Sequence, residues 1–259
     1  MPKAKAWGAF ALVAAVVAGG TAAWAEPTDI TVHVISRGAK FIGTTMGGVL
    51  ITLKDAETGE LLAKGTTEGG TGDTVRIMKE KHGRGGMLST ESAAGFSTTI
   101  DLKRPRLIEV TAFGPLAQHQ SANRVSAVQW VVPGKNLTGG DGWLLEMPGF
   151  IVDVIGPPTH QMRKGLPQTV EIKANVTLMC GCPVEPGGLW DSNTYEIKAR
   201  IKRNGEPAGE IPLNYAGETS QFAGTFVAKE PGAYQATVYA YDPANGNTGV
   251  DATTFIVAE

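Results

Sequence analysis

The only two cysteines in the chain, Cys180 and Cys182, are separated by a single glycine. That pattern allows three chemistries: an oxidised pair, two thiolates holding one soft ion, or two buried thiols. Two residues of extended strand advance the backbone by about 6.6 Å. A disulfide needs Cβ atoms roughly 3.8 Å apart. A straight strand through 180–182 therefore keeps the sulfurs apart, and a bend at Gly181, followed by Pro183, brings them together. The same bend lets both thiolates grip Cu(I), with Met179 adding a thioether if it turns inward. His160 and Met162, two residues apart, are the candidate supplementary ligands. Zinc suits the site less, because it wants four ligands and the cysteines supply half. Thiol–disulfide exchange is the remaining reading.

Other chemistry-bearing residues are scattered. His33 lies opposite the Ile30, Val32 and Val34 face of its strand, which reads as exposed. His82 sits with Met78 and Met87 in a basic, glycine-rich stretch that reads as a surface loop or a short helical turn. Gly69–Gly70–Thr71–Gly72–Asp73 lacks the lysine and helix of a phosphate loop. Asp141 with Glu146, or Asp191 with Glu196, has no spacing that distinguishes it from surface charge. No nucleophile elbow or paired-histidine zinc motif occurs, and the chain reads as non-enzymatic.

The elements that must position these residues are strands. Val170, Ile172, Ala174, Val176 and Leu178 alternate with Glu171, Lys173, Asn175 and Thr177. Cys180 and Cys182 continue the apolar parity, which sends Met179 outward. Similar strands are expected at 30–35, 49–54, 61–66, 96–102, 107–113, 125–132, 143–147, 150–155, 195–201, 222–227, 233–241 and 250–257. Long amphipathic helical runs are absent, and 34 glycines accompany many Thr and Val residues. The fold class is all-β, as two antiparallel β-sandwich modules in tandem.

Residues 1–25 read as a cleaved signal peptide. Lys3 and Lys5 precede the apolar run Ala6 to Gly19, and Ala23–Trp24–Ala25 fits the cleavage rule, giving a mature start at Glu26. The apolar run is short for a membrane span. The expected location is therefore periplasmic or secreted, with no membrane span after cleavage. Formal net charge is −2, and loss of the two leader lysines makes it more negative, which argues against nucleic acid. Gly156–Pro157–Pro158–Thr159–His160 reads as a break in strand pairing. The expected organisation is a first β domain over 26–156, a linker over 157–166 and a second β domain over 167–259.

The run Gly48–Val49–Leu50–Ile51–Thr52–Leu53–Lys54–Asp55 through Thr58–Gly59 to Thr66–Thr67 resembles a carboxypeptidase regulatory-like, or transthyretin-like, module. That likeness covers roughly residues 28–115 and implies a sandwich without catalysis of its own. The hydrolase branch of that group ends in Tyr-Arg-Gly-Ser, whereas this chain ends Ile256–Val257–Ala258–Glu259. Pro231–Gly232–Ala233–Tyr234 through Val238–Tyr239–Ala240–Tyr241–Asp242 resembles the last strands of bacterial immunoglobulin-like modules, which implies shape and not function. The leading expectation is an exported, non-enzymatic binding or accessory protein acting on a small ligand or an envelope protein. The alternatives are a Cu(I)-handling protein and a thiol-exchange protein.

Overall fold

Val170, Ile172, Ala174, Val176 and Leu178 are all buried, and the residues between them are not. Half-buried sheet surfaces impose this period-two pattern, and it recurs along most of the chain. The computed structural model describes residues 24–83 and 85–259. The expected leader, except Trp24 and Ala25, lies outside the described residues. Among the described residues no helix is long and apolar enough to cross a membrane.

The first sandwich is built from β1 (Glu26–Ser36), β2 (Leu50–Asp55), β3 (Leu61–Thr66), β4 (Gly95–Leu102), β5 (Arg106–Gly114), β6 (Asn123–Val131) and β7 (Trp143–Met147), with the short helix α1 (Thr74–Met78). One sheet has the order β4-β1-β7 and the other β3-β2-β5-β6. Every pairing is antiparallel except β1 with β7. Ile30, Val32 and Val34 of β1 meet Ile51, Leu53, Ile108 and Val110 of the facing sheet in one core.

The second sandwich contains β8 (Phe150–Gly156), β9 (Gln161–Lys164), β10 (Gln168–Leu178), β11 (Glu196–Arg203), β12 (Glu206–Pro212), β13 (Asn214–Tyr215), β14 (Gln221–Ala228), β15 (Gly232–Tyr241) and β16 (Thr248–Ala258). Its sheets run β13-β14-β10-β8 and β12-β11-β15-β16-β9. The fold is thus all-β, with several antiparallel sheets stacked in pairs.

Two features differ from the sequence expectation. Phe150–Gly156, read as the end of the first half, pairs with β10 from Leu178↔Phe150 to Lys173↔Gly156. The chain therefore crosses between sandwiches at Pro148–Gly149, where Gly149 adopts φ 136°, a conformation suited to glycine. The expected linker also contains structure. Its two prolines interrupt pairing only briefly, and β9 then adds to β16 as a parallel edge strand, from Phe255↔Gln161 to Ala258↔Lys164.

The outer face of the first three-stranded sheet is covered. Ile35, Phe41 and Ala93 form a small separate core there, with Ile77, Leu88 and Leu144 packed against it. Residues 68–83 and 85–94, carrying α1, thus lie over β1 and cover the His33–Ile35 part of its second face.

Candidate functional site

At the end of β10 the chain leaves the strand. Gly181 takes φ 74°, its amide donates to the Leu178 carbonyl at 2.8 Å, and the Leu178 amide donates to the Cys182 carbonyl at 3.2 Å. The bend expected at Gly181 is present, and Cys180 and Cys182 are joined by a disulfide. Both are buried, 2% and 3% exposed, within the second core.

Met179 does not point to solvent. It is fully buried and belongs to the first core, together with Ile151. Strand parity fails here because the strand ends at Leu178, so the turn and not the pleat sets the direction of the next side chain. A methyl built on Gly181 would lie 2.6 Å from the Met46 sulfur, and one on Gly149 would lie 3.1 Å from the Met179 sulfur. The cysteine turn is therefore wedged into the joint between sandwiches.

Polar contacts complete that joint. The Trp190 indole Nε1 donates to the Gly38 carbonyl at 3.0 Å. Asn247, fully buried, accepts from the Gly149 amide at 3.0 Å and donates to the Arg37 carbonyl at 3.0 Å. The Ser121 hydroxyl accepts from the Val152 amide at 3.0 Å.

The other expected metal ligands lie elsewhere. His160 hydrogen-bonds through its backbone to Thr254, and Met162 pairs with Ile256 and is 60% exposed. The Met179 side chain lies beside Gly149, which borders the Thr248 carbonyl. Thr248 and Thr254 sit six residues apart on β16, about 20 Å at the rise of an extended strand. The structure thus joins Cys180 to Cys182, sets Met179 beside the turn facing the other core, and keeps His160 and Met162 at the far end of the sandwich. Among the described residues no three His, Cys, Asp or Glu side chains converge as a metal site would require.

A different site lies over β1. A groove of about 610 Å³ opens between the outer face of the first sheet and the covering segment, bordered by His33, Glu68, Arg76, Glu91, Gly95 and Ser97. His33 is only 9% exposed. The sequence reading placed it in solvent because period two aims it away from the sandwich core. It is buried because residues 68–83 and 85–94 cover that part of the outer face and Phe41 lies edge-on to the ring, 5.6 Å between centroids.

Its hydrogen bonding fixes its chemistry. Nδ1 lies 3.0 Å from the Asp141 main-chain carbonyl. A carbonyl oxygen only accepts, so in the neutral ring Nδ1 carries the proton and Nε2 holds a free lone pair. Among the described residues Nε2 has no hydrogen-bond partner, and it faces Gly95. A methyl built on Gly95 would sit 2.9 Å from Nε2, so any larger residue there would crowd the nitrogen.

The backbone sets three residues in a row. His33 on β1 is opposite Gly95 on β4, and Gly95 is bridged in turn to Glu68 through amide–carbonyl bonds of 3.0 Å each way. Directly opposed residues share a face, so His33 and Glu68 stand on either side of Gly95, and the His33 ring lies over that glycine. Next along that face, Thr31 and Ser97 hydroxyls bond each other at 2.9 Å.

Asp141 anchors the roof. Its carboxylate accepts from the Leu88 amide at 3.0 Å and the Ser89 amide at 2.7 Å. Burial alone would raise its pKa. Hydrogen bonds from the Ser89 side chain and from the Leu88 and Ser89 amides, with the nearby His33, outweigh burial and hold the carboxyl below its ordinary value. Arg76 donates from Nη1 to the Ser89 carbonyl at 3.1 Å, which steadies the same segment. The groove left little trace in the sequence. Glu68 and Glu91 fall in loops and Arg76 in the short helix α1, and the one available signal was a histidine, His33, among the apolar residues of β1.

No protein-family model matches the chain, and no curated protein matches it. Among solved structures it is similar to an engineered protein at 13% identity and TM-score 0.32, over 50% of this chain and 24% of that one, so it spans about a quarter of that protein's length. It is similar to fibronectin(III)-like modules of Clostridium thermocellum CbhA at 12% identity and TM-score 0.29, over 90% and 94% of the two chains. It is also similar to titin domains Z1Z2 in complex with telethonin, at 9% identity and TM-score 0.25, over 90% and 98%. At such scores the neighbours carry no argument about function, and the sandwich architecture rests on the sheets themselves.

Proposed function

We propose that this chain is an exported, non-enzymatic binding or accessory protein of the bacterial envelope, and that the groove over β1 is its ligand site. The carrying observation is His33: a ring nine-tenths buried, held through Nδ1, whose remaining nitrogen has no hydrogen-bond partner among the described residues, in the lining of a groove of about 610 Å³. That volume is in the range of small-molecule sites. The run 48–67, which resembles a transthyretin-like module, holds the β2–β3 hairpin, which fits a sandwich in general. In the immunoglobulin-like run the Tyr234 hydroxyl returns to the Glu230 carbonyl at 2.7 Å, as in the tyrosine corner of that class.

The test has two parts. Protein exported by a bacterium should have the intact mass of a chain starting at Glu26. It should then be titrated with a panel of small sugars, carboxylates, amines and amino acids while the Ser89 and Gly95 amides are followed by NMR. Saturable shifts without chemical change of the added compound support the reading. Turnover of any panel compound, or a panel that leaves both amides unmoved, overturns it.

A further inference from the structure

We infer that the groove selects a primary ammonium group, held between His33 Nε2 and the Glu68 carboxylate. This rests on the groove being a ligand site and goes further by naming the chemistry it takes.

The groups that border the groove are unequal in kind. With Nδ1 on the Asp141 carbonyl, Nε2 of the neutral His33 ring would only accept, as the carboxylates of Glu68 and Glu91 do. Among the described residues neither carboxylate is in an ion pair. The Thr31 and Ser97 hydroxyls are engaged with each other, and Arg76 is partly committed to the Ser89 carbonyl. What remains is a surplus of acceptors with net negative charge. The complementary ligand is cationic, compact and rich in donors. A primary ammonium has three N–H donors and no acceptor, whereas a quaternary ammonium has the charge and no donor.

The spacing agrees. Adjacent strands lie about 4.8 Å apart, so His33 and Glu68, each one position from Gly95, stand about 10 Å apart at their backbones. The His33 ring leans into that gap over Gly95, with Nε2, Cδ2 and Cε1 2.9, 3.1 and 3.5 Å from where a Gly95 side chain would begin, which brings Nε2 toward the Glu68 side. Gly95 does not have a positive φ, so room for the His33 ring and not backbone freedom is what glycine supplies here.

The experiment uses the full mature chain and NMR of the His33 ring protons and the Gly95 amide. Methylammonium is the minimal probe, with glycinamide and glucosamine as an aminoacyl and an amino-sugar carrier of the same group. Tetramethylammonium and glucose are the matched controls. The expected result is saturable shifts with the three ammonium carriers and none with the controls, the tighter of the two larger carriers indicating the natural source. Glu68→Gln should weaken binding about tenfold, the scale of a lost charge-assisted bond. Gly95→Ala should abolish the His33 shifts while the remaining spectrum stays that of the folded chain. Controls that bind as well as methylammonium, or ammonium carriers that leave His33 and Gly95 unmoved, would overturn the ammonium inference. If in either case another panel compound still binds the groove, the broader binding reading survives.

Discussion

The Trp190 indole donates to the Gly38 carbonyl at 3.0 Å across a sequence separation of 152 residues. This bond ties the loop after the cysteine turn to the loop after β1, and it belongs to a joint that also holds Met179 and Asn247. Trp190→Phe keeps most of the apolar contact and orphans the carbonyl, so it should cost about 1 kcal/mol. Asn247→Ala leaves two backbone groups unpaired in a buried setting and should cost about 3 kcal/mol. Urea unfolding of both variants checks the order, Asn247 being the larger.

The two halves should separate at one place and not another. A fragment covering 148–259 retains β8 and β9 and should give dispersed amide signals. It should be less stable than the whole chain because Met179 and Ile151 lose their cover. A fragment starting at Pro167 lacks both strands, including the buried Phe150 and Val152, and should be unfolded by circular dichroism. A folded 167–259 fragment would show that β8 is dispensable to the second core.

Thiol titration of the native protein should find no free thiol, since Cys180 and Cys182 are bonded to each other. The same engagement predicts that the oxidised protein takes up no Cu(I), measured by competition with a colorimetric chelator. The ring they close is very short, so constraint of the unfolded chain contributes only about 1.5 kcal/mol. The Cys180→Ser, Cys182→Ser double variant should lose about that much in urea and remain folded.

Acid should loosen the groove roof. The Asp141 pKa is lowered in the folded protein, so its contribution to stability is complete above the unfolded value of about 3.9. It is lost as pH falls through the lower, folded value. Amide exchange at Leu88 and Ser89 should accelerate in that acid window. Asp141→Asn should speed the same exchange at neutral pH and flatten its dependence on acid.

Much of the scaffold was legible because alternation is enforced wherever one sheet face meets a core. Val170 to Leu178 is the clearest case, and the 48–67 hairpin another. Strands without a buried face left no such record. Glu206–Pro212 is almost wholly exposed along the sheet edge, and Gln161–Lys164 is a polar edge segment behind two prolines. Glycine at 181 foretold a bend, but the three fates of the cysteines could not be separated without knowing what the bend packs against. His33 misled for a related reason. Period two gives the face a side chain occupies, while only the course of residues 68–83 and 85–94 decides whether that face is wet.

The two cores trade residues at the joint. Ala39, from the loop after β1, is part of the second core, and Met179, from the turn after β10, is part of the first. Recombination that swapped either sandwich for a foreign module would leave a void in the one retained. Losing a buried methionine side chain alone costs about 2–5 kcal/mol, much of the stability of an ordinary domain. Although the chain is laid out as two modules, its halves are not interchangeable parts, and substitutions at 39, 46, 179 and 181 should be inherited together.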